Sequence, residues 1–126
     1  MDVNSLSPLT LAFVGDAVYE IFVREMLAEV NRPSGELHAA SVRLVKASAQ
    51  AAAYKIIEQY LTEKELSVYK RGRNAHVNSV PKNANIGEYH SATGLEALFG
   101  YLHLSGNDER ARELFGIIIK EFQEKL

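Results

Sequence analysis

Leu11-Ala12-Phe13-Val14-Gly15-Asp16-Ala17-Val18-Tyr19-Glu20 is an apolar run interrupted by two carboxylates four residues apart. The apolar spacing predicts a helix, and in a helix positions i and i+4 share a face, so Asp16 and Glu20 stand one above the other. A carboxylate among apolar neighbours stays ionised through water, a basic partner or a bound cation; lacking all three it takes up a proton. The segment therefore demands a partner.

Upstream, Ser7-Pro8 is a plausible helix start, because proline is tolerated in the first turn. Downstream, Leu9, Ala12, Phe13, Val18, Ile21, Phe22 and Met26 continue the apolar stripe, which predicts a long, mostly buried first helix to about Glu29. Asn31-Arg32-Pro33-Ser34-Gly35 reads as a turn. A second helix is expected from there through Leu37, Leu44, Val45 and the alanine-rich stretch Ala47 to Ala53, as far as Tyr60. Thr62-Glu63-Lys64-Glu65 has the pattern of a capping box and opens a short helix to about Arg73. Residues 74–87 hold four asparagines, a proline and a final glycine without periodicity, and are expected to be a loop. A helix from about Glu88 carries Leu95, Leu98, Phe99 and Leu102 on one side, with Glu96, Gly100 and His103 on the adjoining one. Ser105-Gly106-Asn107 stops it, and a last helix follows with Leu114, Ile117, Ile118 and Phe122 as its apolar stripe. No strand pattern competes, so the fold class is all-α, five or six helices in a single domain spanning 1–126.

Composition narrows the function. With no cysteine, disulfides and thiolate metal sites are excluded. No membrane span or secretory leader is legible, and a cytoplasmic location is expected. A net charge of −2 argues mildly against a nucleic-acid partner, but the distribution says more than the sum. Between Leu66 and Gly87 there is no Asp or Glu, while Lys70, Arg71, Arg73 and Lys82 all fall there.

Asp16 and Glu96 share an oddity: each is an acid at the centre of a strongly apolar helix, with Gly15 beside one and Gly100 four residues past the other. Glycine costs a helix interior about 1 kcal/mol against alanine, so it marks close approach by a backbone or a ligand. Either acid could be an ordinary ion-pair residue. Brought together from two packed helices, they would instead make a hard-oxygen site suited to Mg²⁺, with Mn²⁺ equally admissible. Beside a basic, acid-free loop, such a site points to phosphodiester chemistry. The four histidines, His38, His76, His90 and His103, are too scattered for a metal-ligand spacing.

Val14-Gly15-Asp16-Ala17-Val18-Tyr19-Glu20 resembles the signature helix of the ribonuclease III family, and Gly94-Leu95-Glu96-Ala97-Leu98-Phe99-Gly100 resembles its second catalytic helix. Gly72-Arg73-Asn74-Ala75 and Val80-Pro81-Lys82-Asn83 resemble the Mini-ribonuclease III branch, in which no double-stranded-RNA-binding domain is expected to follow. The resemblance implies a ribonuclease III endonuclease-like helical bundle, a homodimer that cuts double-stranded RNA with a divalent metal and matures the precursor of the large-subunit 23S ribosomal RNA. Products would carry 5′-phosphate and 3′-hydroxyl ends. It also implies that Asp16 and Glu96 are catalytic and hold the metal.

Two positions depart from full-length relatives of the family: Ala12 and Thr93 stand where those have a further glutamate and aspartate. More of the coordination is then left to water and RNA, and Thr93 becomes a candidate supporting residue. Glu20 would support a water on the cation or pair with Arg24, its i+4 neighbour, the plainer reading. Duplex RNA is recognised mainly through backbone and shape, which makes Lys70, Arg71, Arg73 and Lys82 candidate phosphate contacts and Asn74, Asn78 and Asn83 candidate hydroxyl or base-edge readers. A ribosomal-protein helper on the substrate is a further expected partner. The competing readings are a non-catalytic RNA- or ribosome-binding helical module and a purely structural helical dimer.

Overall fold

The computed structural model describes residues 1–75 and 80–124, the side chain of residue 124 excepted. It contains α1 (Pro8–Ala28), α2 (Ser34–Val45), α3 (Ala47–Ile57), α4 (Glu63–Arg73), α5 (Ile86–Leu104) and α6 (Asp108–Glu124), with 3₁₀ turns at Val3–Ser5 and Glu58–Tyr60. Among the described residues there is no strand, and no helix is long and apolar enough to cross a membrane. The fold is all-helical.

Local chemistry sets the helix starts. Ser7 Oγ accepts from the Thr10 amide at 3.1 Å, with Pro8 in the first turn. At α4 the capping box is complete: Thr62 Oγ1 accepts from Glu65 N and Glu65 Oε1 accepts from Thr62 N. Asn85 Oδ1 accepts from Glu88 N at 2.9 Å, so α5 begins at Ile86, two residues ahead of the start expected from periodicity. Gly106, at φ 75°, supplies the left-handed turn between α5 and α6.

The expected second helix is broken. Lys46 adopts an extended ψ of 156° between α2 and α3, although neither proline nor glycine marks the place. Gln50 Nε2 donates to Val45 O at 2.8 Å across the break and occupies a carbonyl that a continuing helix would have paired along its own axis.

The core is organised around α5. Its buried residues Ala92, Gly94, Leu95, Ala97, Leu98, Phe99, Gly100 and Leu102 are distributed all round the helix, which is the pattern of a central element rather than an amphipathic cover. α1, α3, α4 and α6 pack about it. Tyr19, Phe22, Phe99 and Phe115 meet in tilted and edge-to-face pairs with centroids 5.1 to 6.2 Å apart. Tyr54 stacks flat on Tyr69 at 3.5 Å, and Tyr69 Oη is hydrogen-bonded to Ser91 Oγ at 2.9 Å. Arg110 clasps α6 to α4 by donating from Nε and Nη2 to the two Glu65 carboxylate oxygens, each at 2.9 Å. Asp108 and Glu109 occupy the first turn of α6, where their charge suits the helix dipole.

α1 is less buried than its composition predicts. Leu11, Ala12, Gly15, Val18, Tyr19, Phe22 and Val23 line the inward face, but Phe13 is 80% exposed, Ile21 50% and Leu9 39%. One helix can lay only one face on α5, so the second apolar face is left to solvent.

Candidate active site

Asp16 and Glu96 are brought together where α1 crosses α5. The crossing is set by glycine: a Cβ on Gly15 would land on the Glu96 carbonyl oxygen, and one on Gly100 would land on the Leu11 carbonyl oxygen. Backbone meets backbone there, closer than any side chain would allow. One residue past Gly15, the Asp16 carboxyl lies within hydrogen-bonding reach of Glu96. α5 makes a similar approach to α4, where a Cβ on Gly72 would sit 2.7 Å from Ala97 Cβ and 3.0 Å from Gly94 Cα. Glu96 is thus carried on a helix clamped on two sides.

Burial first, and the neighbouring Asp16 second, push the Glu96 carboxyl up to about 8, against the opposing effect of a hydrogen bond from Gln50. Among the described residues neither Asp16 nor Glu96 is ion-paired to a lysine or arginine; the bridges formed are Glu20 with Arg24, Glu65 and Glu113 with Arg110, Glu25 with Arg112, and Asp108 with His103. Two adjacent carboxyls without a basic partner are the arrangement that a hard divalent cation relieves. The donors fit such an ion: they are all oxygens. No cluster of three or more His, Cys, Asp or Glu forms among the described residues, so an ion held here keeps much of its shell for water and substrate oxygens.

Other candidates fall on both sides of their expectations. Glu20 is paired with Arg24 at 2.9 Å, as its spacing suggested. Thr93 Oγ1 donates to Tyr89 O at 3.1 Å, one turn back along its own helix, and the residue is buried near Gly72 on α4. Lys70 and Arg71 are exposed on the last turn of α4 and line an open groove with Pro8, Glu63, Ser67 and Asn74. Arg73 turns to a different groove, bordered by Lys55, Glu58, Asn85 and Glu88, and lies over the Tyr69 ring at 5.7 Å. The basic cluster is therefore divided between two surfaces. Asn74 caps the C-terminus of α4 and accepts from Arg73 Nε at 3.3 Å; Asn83 occupies the left-handed region at φ 70°. Both asparagines perform turn chemistry as well as facing solvent. Lys82 is exposed, and Asn78 and His76 lie outside the described residues. His103 Nδ1 is 2.8 Å from Asp108 Oδ1, beside the groove that Asp16, Phe13 and Ile21 line.

Sequence reasoning passed over Gln50. It is buried, and its Nε2 lies 3.4 Å from Glu96 Oε2. The available signal was a long polar side chain inside the alanine-rich stretch 47–53, where only Ser48 is otherwise polar.

A crossing of this kind, carrying paired acids on an all-helical frame, characterises a class of nuclease domain: residues 9–107 match the ribonuclease III domain family. Mini-ribonuclease 3 of Clostridium tetani is 42% identical over 98% of this chain and 83% of its own length. Mini-ribonuclease 3 of Symbiobacterium thermophilum is 49% identical over 87% of this chain and 85% of its own length. A crystal structure of a Fusobacterium nucleatum protein superposes with a TM-score of 0.87 at 31% identity, covering 95% of this chain and 97% of that one. The chain belongs to the ribonuclease III family, on its Mini-ribonuclease 3 branch. It is accordingly a hydrolase, an endoribonuclease of the ribonuclease III type, in a family that generally uses divalent metal ions. The readings as a binding module or a structural dimer give way to it.

Proposed function

We propose that this chain, acting as one domain and as a homodimer in the cytoplasm, cleaves double-stranded RNA at Asp16 and Glu96 with Mg²⁺, and that its substrate is the precursor of 23S ribosomal RNA. The observation that carries the site assignment is the meeting of two carboxyls at a glycine crossing, with no lysine or arginine of the described residues paired to either. A bound divalent cation supplies charge neutralisation at the scissile phosphate and a water acidic enough to attack near neutral pH. Asp16 and Glu96 would hold that ion, and the Gly15/Gly100 contact fixes the approach of α1 to α5 that carries them. Hydrolysis in line breaks the P–O3′ bond and leaves 5′-phosphate and 3′-hydroxyl ends.

Lys70 and Arg71 on one groove, Arg73 on the other, and exposed Lys82 answer the phosphate backbone, with Asn74, Asn78 and Asn83 beside them as polar contacts. One Asp16/Glu96 pair cuts one strand. A two-fold dimer brings a second pair to the other strand, and the exposed apolar face of α1, with Phe13 and Ile21, supports that assembly. A ribosomal protein on the substrate would add affinity beyond the chain's own surface.

Incubation of a long RNA duplex with Mg²⁺ tests the assignment. Asp16→Asn and Glu96→Gln are each expected to slow cleavage by ~10²-fold or more, since each removes a charge that answers the transition state through the cation. Cleavage by Asp16→Asn at the parent rate would remove Asp16 from the mechanism.

A further inference from the structure

Gln50 is 3% exposed, the only long polar side chain of the apolar helix α3 to be buried. Burying an amide is costly unless its hydrogen bonds are made. Its nitrogen is well served, donating to Val45 O at 2.8 Å and lying 3.4 Å from Glu96 Oε2. Its oxygen is not: Gln50 Oε1 is one of two buried side-chain polar atoms among the described residues that have no hydrogen-bond partner, the other being His90 Nδ1. Exchanging the two ends of the amide does not resolve this. The Val45 carbonyl accepts only, so the exchanged amide would set oxygen against oxygen on that side and leave its nitrogen idle on the other.

An orphaned acceptor beside Glu96, in a place where no lysine or arginine of the described residues pairs with the carboxyls, is an acceptor in want of a donor. We propose that Gln50 is a positioning residue of the cation site, its Nε2 orienting Glu96 and its Oε1 accepting a hydrogen bond from the cation's hydration shell. The inference rests on Asp16 and Glu96 being that site. It explains why a buried glutamine stands in an alanine-rich helix, and why the α2–α3 break is tied by the same side chain that reaches Glu96. It also gives a neutral oxygen a role in a site with only two acids: a third carboxylate would add repulsion to the Asp16/Glu96 pair and lose the donor that Val45 O requires.

The test is Mn²⁺ binding to the full chain at fixed pH without RNA, read from the electron paramagnetic resonance signal of the free ion, together with the Mn²⁺ dependence of duplex cleavage. Outer partners of metal ligands are typically worth 10- to 100-fold in metal affinity. Gln50→Leu is expected to weaken Mn²⁺ binding about tenfold and to raise by the same factor the Mn²⁺ needed for half-maximal cleavage, with the rate recovered at saturating Mn²⁺. If Gln50→Leu does not fold, Gln50→Met, of matching length and without polar atoms, replaces it. Parental Mn²⁺ affinity in whichever apolar variant folds overturns the proposal, as does failure of both to fold, which would make Gln50 a structural residue only. Asp16→Asn separates the two layers of the argument: undiminished Mn²⁺ binding in that variant sinks the site itself, whereas its loss alongside an unaffected Gln50→Leu sinks only the role of Gln50.

Discussion

Glu96 shows how one residue's surroundings become a measurable property of the whole chain. Burial first, and Asp16 second, hold its carboxyl at about 8, against 4.5 for a free glutamate. The folded state therefore keeps a proton that the unfolded chain gives up earlier, so the contribution is fully present below pH 4.5 and is lost as pH rises to about 8. Metal-free protein is expected to lose stability across that window with a slope of up to ~1.4 kcal/mol per pH unit, measured by urea denaturation, and Glu96→Gln is expected to flatten the slope. An unaltered slope in Glu96→Gln would assign the effect to other groups. Divalent-cation affinity should climb over the same range, because the cation displaces the proton.

At the scale of the element, the decisive feature is the contact between α1 and α5. Glycine is a poor helix former, so Gly100→Ala gains about 1 kcal/mol in intrinsic propensity. The added methyl, however, would meet Leu11 O and sit 2.9 Å from Gly15 N, backbone atoms that cannot swing aside as a side chain can. We expect a net loss of about 2–3 kcal/mol in thermal or chemical denaturation, and a fall in cleavage larger than that loss explains because Asp16 and Glu96 are pried apart. A Gly100→Ala variant as stable and active as the parent would mean that the helices can separate freely. Both glycines were conspicuous in the sequence as interruptions of apolar helices. The break at Lys46 was not, because neither proline nor glycine marks it and the bond that stabilises it, from the Gln50 side chain to Val45 O five residues back, leaves no trace in the apolar spacing.

For the whole molecule the outer face of α1 is the feature that stands apart, because it is apolar and exposed. Phe13 and Ile21, 80% and 50% exposed, line one groove with Asp16, Val14, Ala17 and Glu20. In the proposed homodimer, this apolar patch close to Asp16 would seat the second copy. Phe13→Glu is expected to shift sedimentation velocity profiles toward monomer and to convert double-strand cleavage into slow single-strand nicking; a dimer unaffected by Phe13→Glu would place the interface elsewhere. RNA binding belongs to the same scale, since the cations are spread over two grooves. Lys70→Ala and Arg71→Ala should each weaken duplex binding without regard to sequence and reduce the salt slope by about one, in titrations at several ionic strengths. An unchanged slope would remove that groove from the RNA path.

The helical class, the capping box and turns, and the two acids were legible along the chain because they depend on near neighbours: apolar spacing, a hydroxyl three residues before a glutamate, an acid beside a glycine. Three things were decided only by tertiary packing. α5 became central, and buried on every side, because four other helices needed an apolar surface. Arg73 parted from Lys70 and Arg71 because it lies over the Tyr69 ring, which the packing of α4 on α3 stacks against Tyr54. Gln50 arrived beside Glu96 although 46 positions separate them, and no local preference encodes that meeting. Local order follows from short-range sterics and hydrogen bonding, whereas a site assembled from distant helices exists only once burial of their apolar faces has chosen which backbones touch.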